Sequence, residues 1–387
     1  MSDTSLRRLL IIQPYVPEYR VPFFHALVQE LQEAGVQAAV AAARSTGAQA
    51  ARGDDRTSAA AEYLLPEHHL SLGSKTLLWR STREAIRSFG PEFIIVEQAI
   101  KNLEAWPLLL APRLASSRRV GMWGQGRSYS TEQSPVEATA KQWLTRQADW
   151  FFSYTDRGAQ HVIQHGFPAN RVTVVQNSTD TQTLRRDVAS VTRQDLELFR
   201  QRHGLIPGKT ALFMGGVDER KGINFLLKSA WEIERQVPGF RLMVAGAGDM
   251  STDVVAEEAA GAPVAYLGRV DGPARARAFA ASDVVLNPEW VGLVAVDALA
   301  CGLPVVTTHH PSHSPEFEYL VDGKTALVTD HQVEAFAEAV SGLLLDEREL
   351  ERLSREAGRA GEVFSVQDMA QRFCAGVIEW SRGARRF

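Results

Sequence analysis

The chain has 387 residues, of which 45% are hydrophobic and 23% charged, and its formal net charge is -4. This length exceeds one ordinary hydrophobic core and predicts two domains of roughly 150–200 residues each. The slightly acidic balance argues against general nucleic-acid binding, which needs a strongly basic surface.

Two isolated cysteines, Cys301 and Cys374, indicate a reducing compartment and no disulfide framework. The apolar run at residues 9–12 is too short for a signal peptide and favours a first buried strand. No segment reaches the ~18–20 apolar residues of a membrane helix. We therefore expect a cytoplasmic protein, at most peripheral on the inner face of a membrane.

Strands and helices alternate along the first half of the chain. The pattern predicts strands at residues 9–13, 36–42, 93–97, 119–123, 150–153 and 172–176. It predicts helices at residues 21–34, 77–89, 105–115 (interrupted by two prolines), 136–148 and 156–165. Residues 44–60 have no clear period and are interpreted as a mobile loop.

A second alternation follows a polar segment at residues 181–208, which is interpreted as a linker carrying one helix at 193–203. Its predicted strands lie at residues 211–215, 241–245, 265–267, 283–287 and 304–308, with helices at 223–236 and 272–281. We expect an α/β protein of two doubly wound Rossmann-like domains, at residues 1–180 and 209–365, facing a central cleft. The C-terminal helix, 366–387, is expected to pack back on the first domain.

The most informative segment is residues 287–308, NPEWVGLVAVDALACGLPVVTT. Glu289 and Asp297 are eight residues apart, and helical phase puts them on nearby faces. Asp297 stands in an otherwise apolar helix, where an unpaired buried acid would cost several kcal/mol, so a partner or a ligand is expected. The alternative is an ordinary surface residue.

Two glycine loops follow predicted strands of the second half. In residues 215–222, Gly215 and Gly216 allow close backbone approach, while Arg220 and Lys221 begin a helix. Backbone N–H groups and a cation there form an anion site suited to a diphosphate. A solvated charge cluster is an equally good interpretation. Gly246, in residues 245–249, marks either a second ligand loop or a tight turn.

Together these features resemble the Glu-x7-Glu region and glycine loops of family 4 retaining glycosyltransferases, which have the GT-B fold. The resemblance is best over residues 211–328, and YVPEYRVPFF at residues 15–24 resembles a bacterial branch linked to surface polysaccharides. It implies transfer of a sugar from a nucleotide diphosphate sugar (UDP or GDP) to a glycan, lipid-linked or small hydroxylated acceptor. It implies no metal and no other cofactor.

The resemblance also assigns roles to individual residues. The donor-binding set is Gly215, Gly216, Arg220, Lys221, Gly246, Glu289, Gly292, Leu293, Asp297 and Glu316. The catalytic set is Gln125, Glu289 and Lys221, and the acceptor-side set is Tyr19, Arg20 and Arg127. Three positions of these sets depart from the family pattern: Gln125 replaces a His, Gly216 an Arg, and Asp297 a Glu. At the hinge, Ser178 replaces a Gly. Gln125 orients a hydroxyl but takes no proton near neutral pH.

Other interpretations stay open. A nucleotide-sugar epimerase or hydrolase would share this fold, and so would a non-catalytic sugar-nucleotide-binding protein. His309, His310 and His313 lack the spacing and carboxylate company of a metal site and are interpreted as loop residues, with His313 a candidate donor to a phosphate. Finally, Lys75, Arg80, Arg83 and Arg87 form a basic face that either rests on anionic lipid or is solvated.

Overall fold

The computed structural model describes residues 7–50, 53–72, 75–110, 118–129 and 134–383. The chain divides into two compact units. Met1–Asn177 and Val366–Phe387 form the first unit, and Ser178–Ser365 form the second. Each unit is built on a parallel sheet with helices packed against it, so both are Rossmann-like domains.

The first unit contains a seven-stranded parallel sheet of order β3-β2-β1-β6-β7-β8-β9 and a separate antiparallel hairpin, β4-β5. Its strands are β1 (Arg7–Gln13), β2 (Val36–Ala42), β3 (Tyr63–Leu64), β4 (Glu67–Leu72), β5 (Lys75–Arg80), β6 (Phe93–Glu97), β7 (Arg119–Gly124), β8 (Trp150–Ser153) and β9 (Val172–Val174). Its helices are α1 (Val21–Glu33), α2 (Gly47–Ala50), α3 (Thr57–Ala60), α4 (Arg83–Phe89), α5 (Ala105–Leu110), α6 (Pro135–Thr145), α7 (Asp156–Gln164) and the C-terminal helix of the chain.

Aromatic side chains hold that C-terminal helix (Val366–Arg382) on the first unit, where it packs against α1. Phe373 stacks on Phe152 with ring centroids 4.2 Å apart, and it also contacts Phe23. Trp380 lies edge-on to Phe93. These side chains are almost fully buried, so apolar burial is the main force that returns the chain terminus to the first sheet.

The second unit contains a six-stranded parallel sheet of order β12-β11-β10-β13-β14-β15. Its strands are β10 (Thr210–Met214), β11 (Arg241–Ala245), β12 (Val264–Gly268), β13 (Val284–Leu286), β14 (Val305–Thr308) and β15 (Ala326–Thr329). Its helices are α8 (Thr181–Ala189), α9 (Arg193–His203), α10 (Ile223–Gln236), α11 (Ser251–Ala259), α12 (Gly272–Ala280), α13 (Val294–Ala300), α14 (Val333–Leu345) and α15 (Glu347–Gly361), so the C-terminal helix is α16.

Three sequence-based interpretations differ from the structure, and two of them concern expected loops or linkers. Residues 181–208, expected to be a linker, form α8 and α9 and belong to the second unit. Leu184 and Leu205 join that unit's core, and the Thr181 hydroxyl donates to the Phe364 carbonyl. Within residues 44–60, expected to be a loop, the described part includes the short helices α2 and α3. There the Asp55 carboxylate accepts from the backbone N–H groups of Ser45 and Thr57.

The basic face expected on a helix at residues 77–89 is divided between a strand and a helix. Residues 77–80 belong to β5, and Arg80 is fully buried. Its guanidinium lies 2.8 Å from the Glu67 carboxylate and 2.7 Å from that of Glu104. Arg80 therefore neutralises two buried acids and does not face a lipid surface. Arg83 and Arg87 are exposed on α4, and the side chain of Lys75 lies outside the described part.

No helix of the described chain combines the length and the apolar character that crossing a bilayer requires.

Candidate functional site

The second sheet has one topological switch point, between β10 and β13. From β10 the chain builds the sheet outward through β11 and β12, and then returns to build β13, β14 and β15 on the other side. The loops that follow β10 and β13 therefore leave the sheet in opposite directions and open a crevice, where ligands of such sheets bind. These loops are residues 215–222 and 287–293, and they carry most of the predicted donor-binding residues.

Close contacts explain why glycines occupy the loops that follow β10 and β11. A Cβ atom at Gly246 would lie 1.8 Å from the Gly215 carbonyl oxygen, and one at Gly248 would lie 2.3 Å from the Val217 carbonyl oxygen. A Cβ atom at Gly216 would lie 2.9 Å from the Asp218 carboxylate. Larger residues at Gly246 and Gly248 would thus separate the loops after β10 and β11.

Lys221 links the two loops at the switch point. It ends a single helical turn, Glu219–Lys221, and its Nζ atom donates to the Trp290 carbonyl oxygen at 2.5 Å. Its side chain passes Gly215, because a Cβ atom there would lie 3.8 Å from the Lys221 Cε atom. The Arg220 guanidinium lies over the Trp290 ring at 5.5 Å and beside Asp218 at 3.3 Å. One cation is therefore placed next to the glycine backbone.

Glu289 lies over the start of α10. A Cβ atom at Gly222, the residue that caps this helix, would lie 3.0 Å from the Glu289 carboxyl carbon. The two residues border a pocket of about 320 Å³ whose walls include Glu219 and Phe225. Gly292 and Leu293 are half-buried in the same loop as Glu289. The structure therefore brings Lys221 and Glu289 to one crevice, as the sequence predicts.

Asp297, for which the sequence predicts a partner or a ligand, has two partners within the protein. Its carboxylate oxygens meet Arg275 of α12 at 2.6 Å and accept from the Thr179 hydroxyl at 2.7 Å, and the side chain is almost fully buried. Asp297 raises the pKa of Arg275, and burial together with Asp297 raises the pKa of Cys301 to about 12. Both oxygens of Asp297 are thus engaged within the protein, and the ribose contact that the resemblance implies stays a prediction.

His313 and Glu316 are also buried, at 5% and 4% exposure. The Val291 N–H group donates to His313 Nδ1, and Nε2 therefore carries a proton and donates to the Thr308 carbonyl oxygen. Burial lowers the pKa of His313 to about 4, so the ring is neutral near pH 7. His313 joins two loops and does not donate to a phosphate. Glu316 lies in the turn Pro315–Tyr319, and its expected contact with a donor sugar stays a prediction.

In the first unit, Arg20 is buried and does not fit the expected acceptor-side role. Its guanidinium lies 5.0 Å from the Trp123 ring centroid and 5.4 Å from that of Tyr154, and it donates to the Asn177 side chain at 2.6 Å. Cation–π contacts and a charge-assisted hydrogen bond stabilise such a buried guanidinium. Tyr19 beside it is 42% exposed and remains available to a ligand.

The loop after β7 carries Gln125, and its neighbour Gly126 is fixed by Gln98. The Gly126 N–H group donates to Gln98 Oε1 at 2.9 Å, and Gln98 Nε2 donates back to the Gly126 carbonyl at 3.1 Å. A Cβ atom at Gly126 would lie 2.2 Å from the Gly158 carbonyl oxygen, so the loop packs tightly on α7. Gln125 is half-buried, and Arg127 is exposed, with its guanidinium over the Tyr129 ring.

Three residues of these sites were not predicted from the sequence: Gln98, Trp290 and His331. Trp290 has a backbone φ of 50°, a left-handed conformation that only a few per cent of residues other than glycine adopt, and it offers its carbonyl to Lys221. His331 donates to Glu289 at 2.9 Å from a position 42 residues away in the chain. No local pattern marks such long-range contacts.

Comparisons with known proteins agree with this architecture. A glycosyl transferase 4-like domain model matches residues 21–178, and a glycosyl transferases group 1 model matches residues 208–346. A D-inositol 3-phosphate glycosyltransferase of Rhodococcus opacus (strain B4) is 27% identical over 270 residues, covering 66% of this chain and 57% of that protein. The chain thus spans little more than half the length of this relative.

Solved structures share the fold. HepE from Anabaena in complex with UDP superposes with a TM-score of 0.70 at 15% identity, covering 96% of this chain and 99% of that one. A UDP-GlcNAc 2-epimerase from Neisseria meningitidis superposes with a TM-score of 0.64 at 13% identity, covering 96% of this chain and 99% of that one. Because both halves match glycosyltransferase domains in chain order and both units are Rossmann-like, the chain belongs to the GT4-type glycosyltransferases of the GT-B fold.

Proposed function

We propose that this protein is a retaining glycosyltransferase that moves a sugar from a UDP-sugar or GDP-sugar to a hydroxyl acceptor without a metal ion. The observation that carries the proposal is the placement of Lys221 and Glu289 together at the β10–β13 switch point. HepE, of the same fold, is known in complexes with UDP and with UDP-glucose, which supports a nucleotide-sugar donor.

In the proposed reaction the bond between the anomeric carbon and the diphosphate oxygen breaks. A new bond forms from that carbon to the acceptor oxygen on the same face of the sugar, and the acceptor proton goes to the leaving phosphate. Lys221 and the backbone of Gly215 and Gly216 would neutralise the charge that develops on the diphosphate, which is usually the largest catalytic contribution. Glu289 would accept from hydroxyls of the donor sugar.

The first unit would bind the acceptor. We propose that Gln125, held in place through Gln98, lines the reaction centre, and that Tyr19 and Arg127 contact the acceptor. The D-inositol 3-phosphate glycosyltransferases among the relatives support a small hydroxylated acceptor, and a glycan remains a second candidate. A lipid-linked acceptor would suit peripheral membrane contact through the exposed Trp79, Arg83 and Arg87.

A thermal-shift screen against UDP-, GDP-, ADP- and dTDP-sugars tests the donor assignment. We expect sugars of UDP or GDP to stabilise the protein, because a ligand at 100 times its Kd adds about 2.7 kcal/mol to the free energy of unfolding. No stabilisation by any of the four classes would contradict the proposal.

The stabilising donor is then incubated with chelator and candidate acceptors, and the product is examined by NMR. We expect acceptor-dependent transfer with the anomeric configuration of the donor retained. Epimerised or released sugar without an acceptor would instead favour the epimerase or hydrolase interpretation, and binding without turnover would favour the non-catalytic one.

A further inference from the structure

Three neighbouring strands of the second sheet each contribute one metal-ligating side chain just beyond their carboxyl ends. Glu289 follows β13, His310 follows β14 and His331 follows β15, and these strands are adjacent and parallel. Because parallel strands end at the same edge of a sheet, residues about twenty positions apart in the chain converge there. The sequence pattern did not reveal this set, because it grouped His310 with His309 and His313.

The geometry of the set suits a metal ion. His331 Nε2 lies 2.9 Å from one oxygen of Glu289, and His310 Nε2 lies 3.7 Å from the other. One ligand atom from each residue lies within 4.8 Å of the other two. Bonds of about 2.0–2.1 Å in a tetrahedral site place ligand atoms roughly 3.3 Å apart, so small side-chain rotations would complete the site.

Neighbouring side chains orient the ligands and leave one side open. The His331 ring packs on Phe225 with centroids 4.8 Å apart. The side chains of Glu289 and His310 are 17% and 23% exposed, and that of His331 is 37% exposed. Glu289 and His310 are therefore half-buried, while the more exposed side chain of His331 leaves an ion and a water molecule access to the set. Two imidazoles and a carboxylate suit Zn²⁺ and its transition-metal neighbours better than Mg²⁺ or Ca²⁺, which prefer oxygen ligands only.

We propose that Glu289, His310 and His331 form a binding site for one divalent transition-metal ion, of which Zn²⁺ is the type. The bound ion occupies the carboxylate that the proposed function assigns to the donor sugar, so it competes with the donor and inhibits transfer. The competition rests on the proposed function, whereas the metal site itself does not. This site is compatible with metal-independent transfer, because the ion excludes the donor and takes no part in the reaction.

Calorimetric titration of the chelator-treated protein with Zn²⁺ tests the site, and Co²⁺ absorption in the visible range reports its coordination. We expect one ion per chain, and at least tenfold weaker binding in His331→Ala, His310→Ala and Glu289→Gln. His309→Ala is the matched control, because His309 is exposed and lies outside the set; its affinity should equal that of the wild type. Thermal melting checks that each variant is folded.

Unchanged Zn²⁺ affinity in folded His331→Ala and His310→Ala would overturn the site. For the competition, Zn²⁺ should raise the apparent Kd of the nucleotide sugar in the wild type and have no such effect in His331→Ala. An equal effect of Zn²⁺ on both would overturn the competition. If the protein bound no nucleotide sugar at all, the proposed function would fail, while the Zn²⁺ titration would still decide the metal site.

Discussion

Lys221→Ala is expected to weaken nucleoside diphosphate binding by about 1.5–3 kcal/mol, the range of hydrogen bonds to charged groups. This corresponds to a Kd roughly 10- to 150-fold higher. We expect this loss because the Lys221 ammonium group lies beside the Gly215 backbone and contacts the Trp290 carbonyl at the switch point. Isothermal titration with the nucleoside diphosphate of the best donor measures it.

Two variants separate charge from general perturbation of the fold. Lys221→Arg keeps a cation and should recover part of the lost affinity. Lys209→Ala is the matched control, because Lys209 precedes β10 at the opposite end of the strand and its Nζ atom donates to the Pro238 carbonyl. Lys209→Ala should bind like the wild type. Unchanged affinity in Lys221→Ala would remove this residue from the proposed diphosphate site.

Arg80→Ala is expected to destabilise the first unit by about 3–5 kcal/mol, the cost of breaking a buried ion pair from one side. Arg80 is fully buried between Glu67 and Glu104, whose side chains are 8% and 4% exposed. Its removal leaves two carboxylates without their guanidinium. Urea unfolding of the full chain measures the change in the free energy of unfolding.

Arg83→Ala is the control for Arg80→Ala. Arg83 is exposed at the start of α4, so its replacement should change stability by no more than about 0.5 kcal/mol. If Arg80→Ala lowered the free energy of unfolding by less than about 1 kcal/mol, water or side-chain movement would be stabilising the charges of the two acids. The account of the β4–β5 region as a buried ionic cluster would then be wrong.

Local periodicity was sufficient to predict most elements of both sheets. The continuous apolar runs of β1 and β13 and the amphipathic pattern of α10 need only neighbouring residues to be recognised. The β4–β5 hairpin was not predicted, because Arg80 is typical of an exposed position unless its two acidic partners are known. Helix α8 was not recognised as part of the second domain, because it is polar and few apolar residues, among them Leu184, anchor it.

The candidate site divides in the same way. Lys221 and Glu289 could be predicted because each lies in a loop that follows a predicted strand. The order of the strands in the sheet then decides which of these loops meet. The need of Asp297 for a partner was predicted, but the partners themselves were not, because Arg275 and Thr179 reach it from distant parts of the chain. The burial of Arg20 was not predicted, because only part of its aromatic surroundings is local, and the Trp123 and Tyr154 rings come from β7 and from the segment after β8.

Hydrogen–deuterium exchange, with and without a saturating nucleoside diphosphate, tests the central claim most directly. That claim is that the loops at residues 215–222 and 287–293 hold the diphosphate. We expect slower exchange in peptides from both loops, and no change in the β4–β5 hairpin of the first unit. Binding of the nucleotide without protection of either loop would contradict the claim.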